Sequence, residues 1–419
     1  MDVSVIGLGK LGSVYAAVLA SRGVRVWGCD KNPKVVDQIC KHQPTHFEPG
    51  FAECLLQAGS NLVATESVAM AVGATEITVV LVNTPSDSSG AFDACRVEDV
   101  VREVAVALRE KDADDPPHLI VVSSTVMPGA CEKLHRIACE VAGREVYMVY
   151  SPEFIALGEA VEGFAEPRFV VIGSSSVRAA ERAEWFFRRY TTGLSRVAHM
   201  DFASAEITKV ALNFWLTSKI TFANRLAQVC HAYEADVDSV VMGLGFDPRI
   251  NTRYMRAGGP YGGPCFPRDV NAFAYLERVV DYANTLAFGN AIVNGDTLDE
   301  WLVLTVDASE DGERKVGVLG RAFKDGTDVQ VASLGADLIE RLDDNDIECV
   351  WYDPVIEGEY QSAQELVDDC EVVVLPNLGQ EYETIVPRKG QVFIDVWGQL
   401  DPQYIAIFGA KVIRFGRGA

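Results

Sequence analysis

The run Val3-Ser-Val-Ile6, followed at once by Gly7-Leu-Gly9-Lys-Leu-Gly12, leaves this chain few folds to choose from. Val3 to Ile6 reads as a short buried strand. Leu11 to Arg22 (LGSVYAAVLASR) has helical composition and ends at Gly23, a favoured residue just past a helix. A second β-rich run, Val24 to Cys29, ends in Asp30, eighteen residues beyond Gly12. Strand, G-x-G-x-x-G, helix, strand and terminal acid together make the dinucleotide-binding fingerprint. Gly7 makes the tight turn, Gly9 admits the pyrophosphate, and Gly12 lets helix and strand pack closely. Lys10 and Leu11 lie between the glycines, where the helix N-terminus faces the phosphates. Asp30 would accept hydrogen bonds from ribose hydroxyls and repel a 2′-phosphate, which favours NAD over NADP. The neighbouring Lys31 pulls the other way.

Further buried strands are expected at Ile77 to Val82, Leu119 to Ser123, Val146 to Tyr150 and Phe169 to Ile172, with helical segments between several of them. That is the alternation of a doubly wound α/β domain. Thr84-Pro85, Ser124-Thr125 and Ser151-Pro152-Glu153 gather just past those strand ends, where ligands sit in such sheets. Each is also an ordinary set of turn residues. From Ser204 to about Ala232 the chain has no Pro or Gly and is apolar on much of its circumference, so one long, largely buried helix is expected. Lys209 and Asn213 share a face of it. The lysine either serves a site or snorkels to solvent, and the asparagine either serves a site or bonds a neighbouring helix. The same helix is a candidate domain or subunit contact.

Gly262 to Asp269 reads GGPCFPRD. Proline is favoured in the first turn of a helix. A helix starting near Pro267 would put Cys265 at its positive end, where a thiolate is favoured, and Asp269 roughly on the same face. Gly262 and Gly263 leave room for a ligand to approach the backbone. The competing reading is a small buried hydrophobe, the usual fate of a free cysteine. A charged, turn-rich stretch at Asp311 to Arg314 then precedes a second α/β series. Its strands are expected at Lys315 to Leu319, Glu348 to Tyr352, Val372 to Leu375, Val392 to Val396 and Val412 to Phe415, with no second complete glycine fingerprint. The expected fold is therefore α/β, with two Rossmann-like doubly wound domains, 1–198 and 301–419, joined by a central helical segment, 199–300.

Composition narrows the function classes. Ten cysteines in 419 residues without a C-x-x-C pair argue for reduced thiols in the cytoplasm and against a disulfide framework or a zinc site. His42 and His46 have i,i+4 spacing, but Pro44 between them spoils a helical metal pair. A net charge of −23 argues against nucleic-acid binding. No run of about 18 uninterrupted apolar residues points to a membrane span.

Taken together, these residues resemble the UDP-glucose and GDP-mannose dehydrogenases, the four-electron nucleotide-sugar dehydrogenases. The motifs occur in family order over nearly the whole chain: GLGKLG at Gly7, EPGF at Glu48, NTP at Asn83, SSTVMPG at Ser123, SPEF at Ser151, AEITKVALN at Ala205, DPRI at Asp247, GGPCFPRD at Gly262 and AFKDGTD at Ala322. The resemblance implies oxidation of C6 of a nucleotide-linked hexose to a uronate by two NAD, through a thiohemiacetal and thioester on Cys265. It implies that Lys209 and Asn213 stabilise the oxyanion, and that Thr125, Glu153 and Asp269 position water or move protons. Arg249 matches an arginine that reaches the neighbouring subunit's substrate, which implies a homodimer through the long helix. Lys324 matches a lysine near the substrate phosphates. Phe154, Tyr261 and Gly262 fall at substrate-facing positions, and Thr84, Thr125 and Arg268 at cofactor-facing ones. No metal is implied.

Two substrate-facing positions depart from the family pattern. Leu157 stands where an acid is expected, and Val331 lies in a stretch (TDVQVAS) that usually carries an arginine. The reaction type is therefore better defined than the sugar, and another NDP-hexose or NDP-HexNAc remains open. Two other readings compete. One is a two-electron alcohol dehydrogenase resembling the β-hydroxyacid dehydrogenases, which gives no reason for the cysteine or the third domain. The other is a catalytically silent sugar-nucleotide-binding protein, against which the full set Thr125, Glu153, Lys209, Asn213, Cys265 and Asp269 argues.

Overall fold

The computed structural model describes residues 2–112, 115–281, 285–310 and 312–417. The chain forms two compact units, Met1–Ala211 and Leu212–Ala419. Short apolar runs make the strands of the first: β1 (Val3–Ile6), β2 (Val26–Cys29), β3 (Leu62–Thr65), β4 (Ile77–Val80), β5 (Leu119–Val122), β6 (Tyr147–Tyr150), β7 (Val170–Gly173) and β8 (Val197–Met200). They lie in the order β3-β2-β1-β4-β5-β6-β7-β8. All neighbours are parallel except β6 and β7. Alternate residues serve opposite faces, as the pleat requires. Val3, Val5, Ile77, Val79, Leu119 and Val121 fill one core, while Ile6, Val80, Ile120 and Val122 fill the other. Both faces are covered, which is why these strands read as continuous apolar runs. The covering helices are α1 (Lys10–Ser21), α2 (Pro33–Cys40), α3 (Phe51–Ala58), α4 (Val68–Gly73), α5 (Cys95–Ala107), α6 (Ala130–Ala142), α7 (Ala160–Ala165) and α8 (Val177–Tyr190).

Helix α9 (Phe202–Ala232) is 31 residues long, and the division between the units falls within it. The second unit continues with α10 (Val237–Gly245), α11 (Phe266–Val279) and α12 (Thr285–Ala308). Of the expected boundary stretch, Asp311 lies outside the described residues. Beyond it come β9 (Val316–Leu319), α13 (Leu334–Asp344), β10 (Cys349–Tyr352), β11 (Val372–Leu375), β12 (Val392–Asp395) and β13 (Lys411–Ile413). These strands form a parallel sheet in the order β10-β9-β11-β12-β13.

The second sheet repeats the first sheet's opening turn without its sequence signature. After β1, Gly7 has φ +98°, and a Cβ on Gly12 would stand 1.9 Å from the Gly7 carbonyl oxygen. After β9, Gly320 has φ +113°, and a Cβ on Gly335 would stand 1.9 Å from the Gly320 carbonyl oxygen. Asp30 at the end of β2 accepts from the Leu8 amide at 2.8 Å. Asp353 after β10 accepts from the Arg321 and Ala322 amides, each at 2.9 Å. The two glycines are fifteen residues apart here instead of five, so no G-x-G-x-x-G appears. No helix among the described residues is long and apolar enough to cross a membrane.

Candidate active site

The first unit carries a dinucleotide cradle at the point where strand order reverses, between β1 and β4, the usual ligand crevice of such sheets. Gly7 cannot take a side chain, because its Cβ would stand 2.4 Å from the Leu81 carbonyl oxygen. A Cβ on Gly9 would meet nothing within 4 Å, so the space a pyrophosphate needs lies open there. Gly9 is also the N-cap of α1, with no side-chain cap on the helix, so the first-turn N–H groups are available to an anion. Lys10 is exposed and Leu11 half-buried on that turn. Asp30 receives the Leu8 amide on Oδ2 and the Asn32 amide, at 2.9 Å, on Oδ1. Each carboxylate oxygen keeps acceptor capacity for a ribose hydroxyl. The residues present fit NAD.

Loops after β4, β5 and β6 close the cradle. Thr84 is buried and donates its hydroxyl to the Thr125 carbonyl at 2.7 Å. The buried Ser124 hydroxyl joins the same loops, accepting from the Val82 amide at 2.8 Å. Glu153 follows the buried pair Ser151-Pro152. Burial pushes its carboxyl up to about 8, against the opposing pull of Lys209. Lys209, on the N-terminal half of α9, donates to the Glu153 backbone carbonyl at 2.6 Å and stands 5.1 Å over the Phe154 ring. The cation therefore neither snorkels away nor pairs with the Glu153 carboxylate in this state; it is held beside it.

The second unit carries the thiol. Cys265 is the N-cap of α11, Pro267 lies in the first turn, and the Asp269 amide donates to the Cys265 carbonyl at 2.9 Å. The thiol is exposed, which sets Cys265 apart from a core cysteine. Asp269 is 5% exposed, and the Asn213 amide nitrogen donates to its Oδ2. Asn213, one turn beyond Lys209 on α9, thus bonds the acid that shares the cysteine's helix.

The stretch before Cys265 is clamped by another loop. A Cβ on Gly262 would stand 1.8 Å from the Ala332 carbonyl oxygen, and the Gly263 amide donates to that oxygen at 3.1 Å. Gly263 has φ +75° and faces the Phe323 ring. The loop that presses here is the one bearing Lys324, which is half-buried, and Val331, which is 61% exposed.

Three further residues assigned to the substrate or the cofactor lie in the second unit. Tyr261 is packed with Phe214, Val270 and Ala287, and burial pushes its hydroxyl up to about 12. Its backbone amide donates to Asn294 Oδ1 at 2.7 Å. Arg249 is exposed and bonded to Asp247 of its own turn, Nη2 to Oδ2 at 2.6 Å. Arg268 is half-buried on the first turn of α11.

Two carboxylates went unassigned in the sequence. Glu206, fully buried on α9, accepts from the Gly129 and Cys131 amides at 2.6 and 2.7 Å, capping the otherwise uncapped α6. It ties the loop of Thr125 to the helix of Lys209. Glu48 does the same for the Glu153 loop. The signal for both was an acid inside an apolar or turn-forming motif, with no partner visible in sequence.

Comparison with known proteins agrees with this geometry. Residues 1–191 match the UDP-glucose/GDP-mannose dehydrogenase family, NAD binding domain, and residues 203–294 match its central domain. A UDP-glucose 6-dehydrogenase of Haloferax volcanii is 31% identical over 85% of this chain and 84% of its own length. A GDP-mannose 6-dehydrogenase of Pseudomonas syringae pv. syringae is 29% identical over 95% of this chain and 96% of its own. The structure of a UDP-glucose dehydrogenase from Pyrobaculum islandicum superposes with a TM-score of 0.88 at 31% identity, covering 100% of this chain and 98% of that one. The chain belongs to the UDP-glucose/GDP-mannose dehydrogenase family, the NAD-dependent nucleotide-sugar 6-dehydrogenases.

Proposed function

We propose that this chain oxidises the C6 hydroxymethyl group of a nucleotide-linked hexose of the UDP-glucose type to a uronate, through a thiohemiacetal and a thioester on Cys265. The observation that carries this reading is the exposed thiol at the N-cap of α11, one turn from the buried Asp269–Asn213 pair. When bound, NAD supplies the hydride acceptor, used twice per sugar. The chain's residues do the rest. The Cys265 thiolate adds to the C6 aldehyde, forming the S–C bond, and the carbonyl oxygen takes the negative charge and then a proton. Lys209 and Asn213 stabilise that oxygen. After the second hydride leaves C6, water attacks the thioester, the S–C bond breaks and the thiolate is restored. Thr125, Glu153 and Asp269 position the water and carry the protons.

Glu153 gives this scheme a pH signature. With its carboxyl at about 8, most free enzyme at neutral pH holds it protonated, and only the carboxylate accepts a proton. We expect kcat/KM, which reports the free enzyme, to rise with pH through about 8, and Glu153→Gln to lose that limb. A profile unchanged by the substitution would remove Glu153 from proton transfer. Stability runs the opposite way. A carboxyl whose folded value lies above the unfolded 4.5 contributes fully below pH 4.5 and loses that contribution as pH rises through about 8.

In the proposed assembly, 1–198 holds NAD, 301–419 holds the nucleotide sugar through Lys324, and 199–300 pairs two copies. Trp215, Phe222 and Val229 are exposed and seven residues apart on α9, the repeat of a helix–helix seam. The exposed Arg249 would serve the partner's substrate. Sedimentation that finds only a 45.7 kDa species at micromolar concentration would refute the dimer.

The deciding experiment counts NADH formed per sugar consumed across UDP-, GDP- and dTDP-hexoses and their N-acetylamino counterparts. Two NADH with an acid product support the proposal and name the substrate. One NADH with an accumulating aldehyde, or binding without NADH, overturns it.

A further inference from the structure

The motif EPGF is the one stretch of the family pattern to which the reaction assigns nothing, and the structure gives its first residue a specific task. Glu48 is 7% exposed. Its Oε2 accepts from the Gly158 amide at 2.9 Å and its Oε1 from the Ala160 amide at 2.7 Å. These partners lie 110 and 112 residues away in sequence. They bracket the end of the loop that begins at Ser151 and carries Glu153, Phe154 and Leu157. The loop's other end is fixed by the strand β6.

The rest of the motif makes that carboxylate rigid. Gly50 has φ +78°, and a Cβ there would stand 3.5 Å from the Val161 side chain, so the turn packs closely on α7. Phe51 is fully buried, and its amide donates to the Glu48 carbonyl at 3.1 Å. Ile155 in turn packs on Gly163, where a Cβ would meet it at 2.8 Å. Two charge-assisted bonds from a nearly buried carboxylate to backbone N–H groups hold a loop more firmly than neutral ones.

We infer that Glu48 is a positioning residue for the reaction: its carboxylate, fixed by the turn Pro49-Gly50-Phe51, clamps the Gly158 and Ala160 amides and so sets where Glu153 and Phe154 stand beside Lys209. This rests on the proposed role of Glu153, and the test separates the two. Gln at this position keeps one acceptor oxygen but turns an NH2 group on the second amide, so one of the two bonds is lost. Ala loses both. The loop then drifts, and a small misplacement of a proton-transfer group weakens catalysis steeply.

The full-length protein and its Glu48→Gln, Glu48→Ala and Glu153→Gln variants would be compared by amide hydrogen exchange over 151–162 and by kinetics per folded molecule. Exchange at Gly158 and Ala160 is expected to quicken in the order Glu, Gln, Ala. The kcat of Glu48→Ala should fall about 10- to 100-fold, with Gln between and the KM for NAD within about twofold of the parent, because the glycine turn is untouched. Unchanged exchange, or a kcat that follows only the folded fraction, overturns the inference. A fully active Glu153→Gln overturns instead the proposed role of Glu153, and the exchange result then judges the clamp by itself.

Discussion

Cys265→Ser is expected to cut uronate formation by about 10³-fold or more, equivalent to about 4 kcal/mol of barrier, without unfolding the protein. Serine is among the favoured N-cap residues and the position is exposed, so α11 keeps its start and the melting temperature should not move. What changes is the chemistry. A serine hydroxyl is almost wholly protonated near neutral pH and is a weak nucleophile, whereas sulfur attacks carbonyls readily. An alkoxide is also a poorer leaving group than a thiolate when water attacks the acyl intermediate. The first hydride transfer needs no nucleophile on C6, so the variant should release NADH only up to the first oxidation. Counting NADH against sugar, with the product identified as aldehyde or acid, reads the result directly. A variant that gives two NADH per sugar at the parent rate would end the thioester mechanism.

Gly262→Ala should be nearly as damaging for a reason that has nothing to do with bond-making. Its Cβ would stand 1.8 Å from the Ala332 carbonyl oxygen and 3.0 Å from the Ala332 carbonyl carbon. These are backbone atoms, which no rotamer change can move aside. The two loops must separate, breaking the Gly263–Ala332 bond. Overpacking of this kind costs about 1–3 kcal/mol, with about 1 kcal/mol more for the hydrogen bond. Because the strand of chain that shifts ends in Cys265, we expect kcat to fall about 10²-fold. NAD affinity should hold, since the fingerprint residues belong to the other unit. Gly243→Ala on α10 is the control: a Cβ there meets nothing within 4 Å, and alanine is the better helix former. Parent-like kcat in Gly262→Ala would show that the clamp between the loops does not hold the thiol.

What could be read in the sequence, and what could not, follows from how far a residue's partners lie along the chain. The central strands were legible because both faces of each are buried, giving unbroken runs such as Ile77–Val80 and Leu119–Val122. The edge strands β3 and β8 carry no such run. Only Leu62 of the first is buried and none of the second, whose His199 is exposed. The helix bearing Cys265 was announced by Pro267, a local signal. By contrast, Glu48 and Glu206 take their meaning from amides 75 to 112 residues away, and no local pattern encodes such a pairing. Tyr261 illustrates the converse. The resemblance puts it at a substrate-facing position, and in the fold its ring packs with Phe214, Val270 and Ala287 while its backbone amide donates to Asn294.

The stretched second turn, in which Gly320 and Gly335 stand fifteen residues apart, lends itself to engineering. The neck of the insertion is closed by the Phe323–Val329 bond at 2.8 Å, and its exit is sealed by Ser333, whose hydroxyl donates to the Arg321 carbonyl at 2.8 Å while capping α13. Residues 324–328, Lys324 included, lie inside the first staple and before Ala332, whose carbonyl holds the Gly262–Gly263 turn, so these five are the exchangeable cassette. On the proposed role of Lys324 at the nucleotide sugar, exchanging those five residues among relatives is expected to shift which sugar is accepted while both sheets and the Ala332 clamp stay in place.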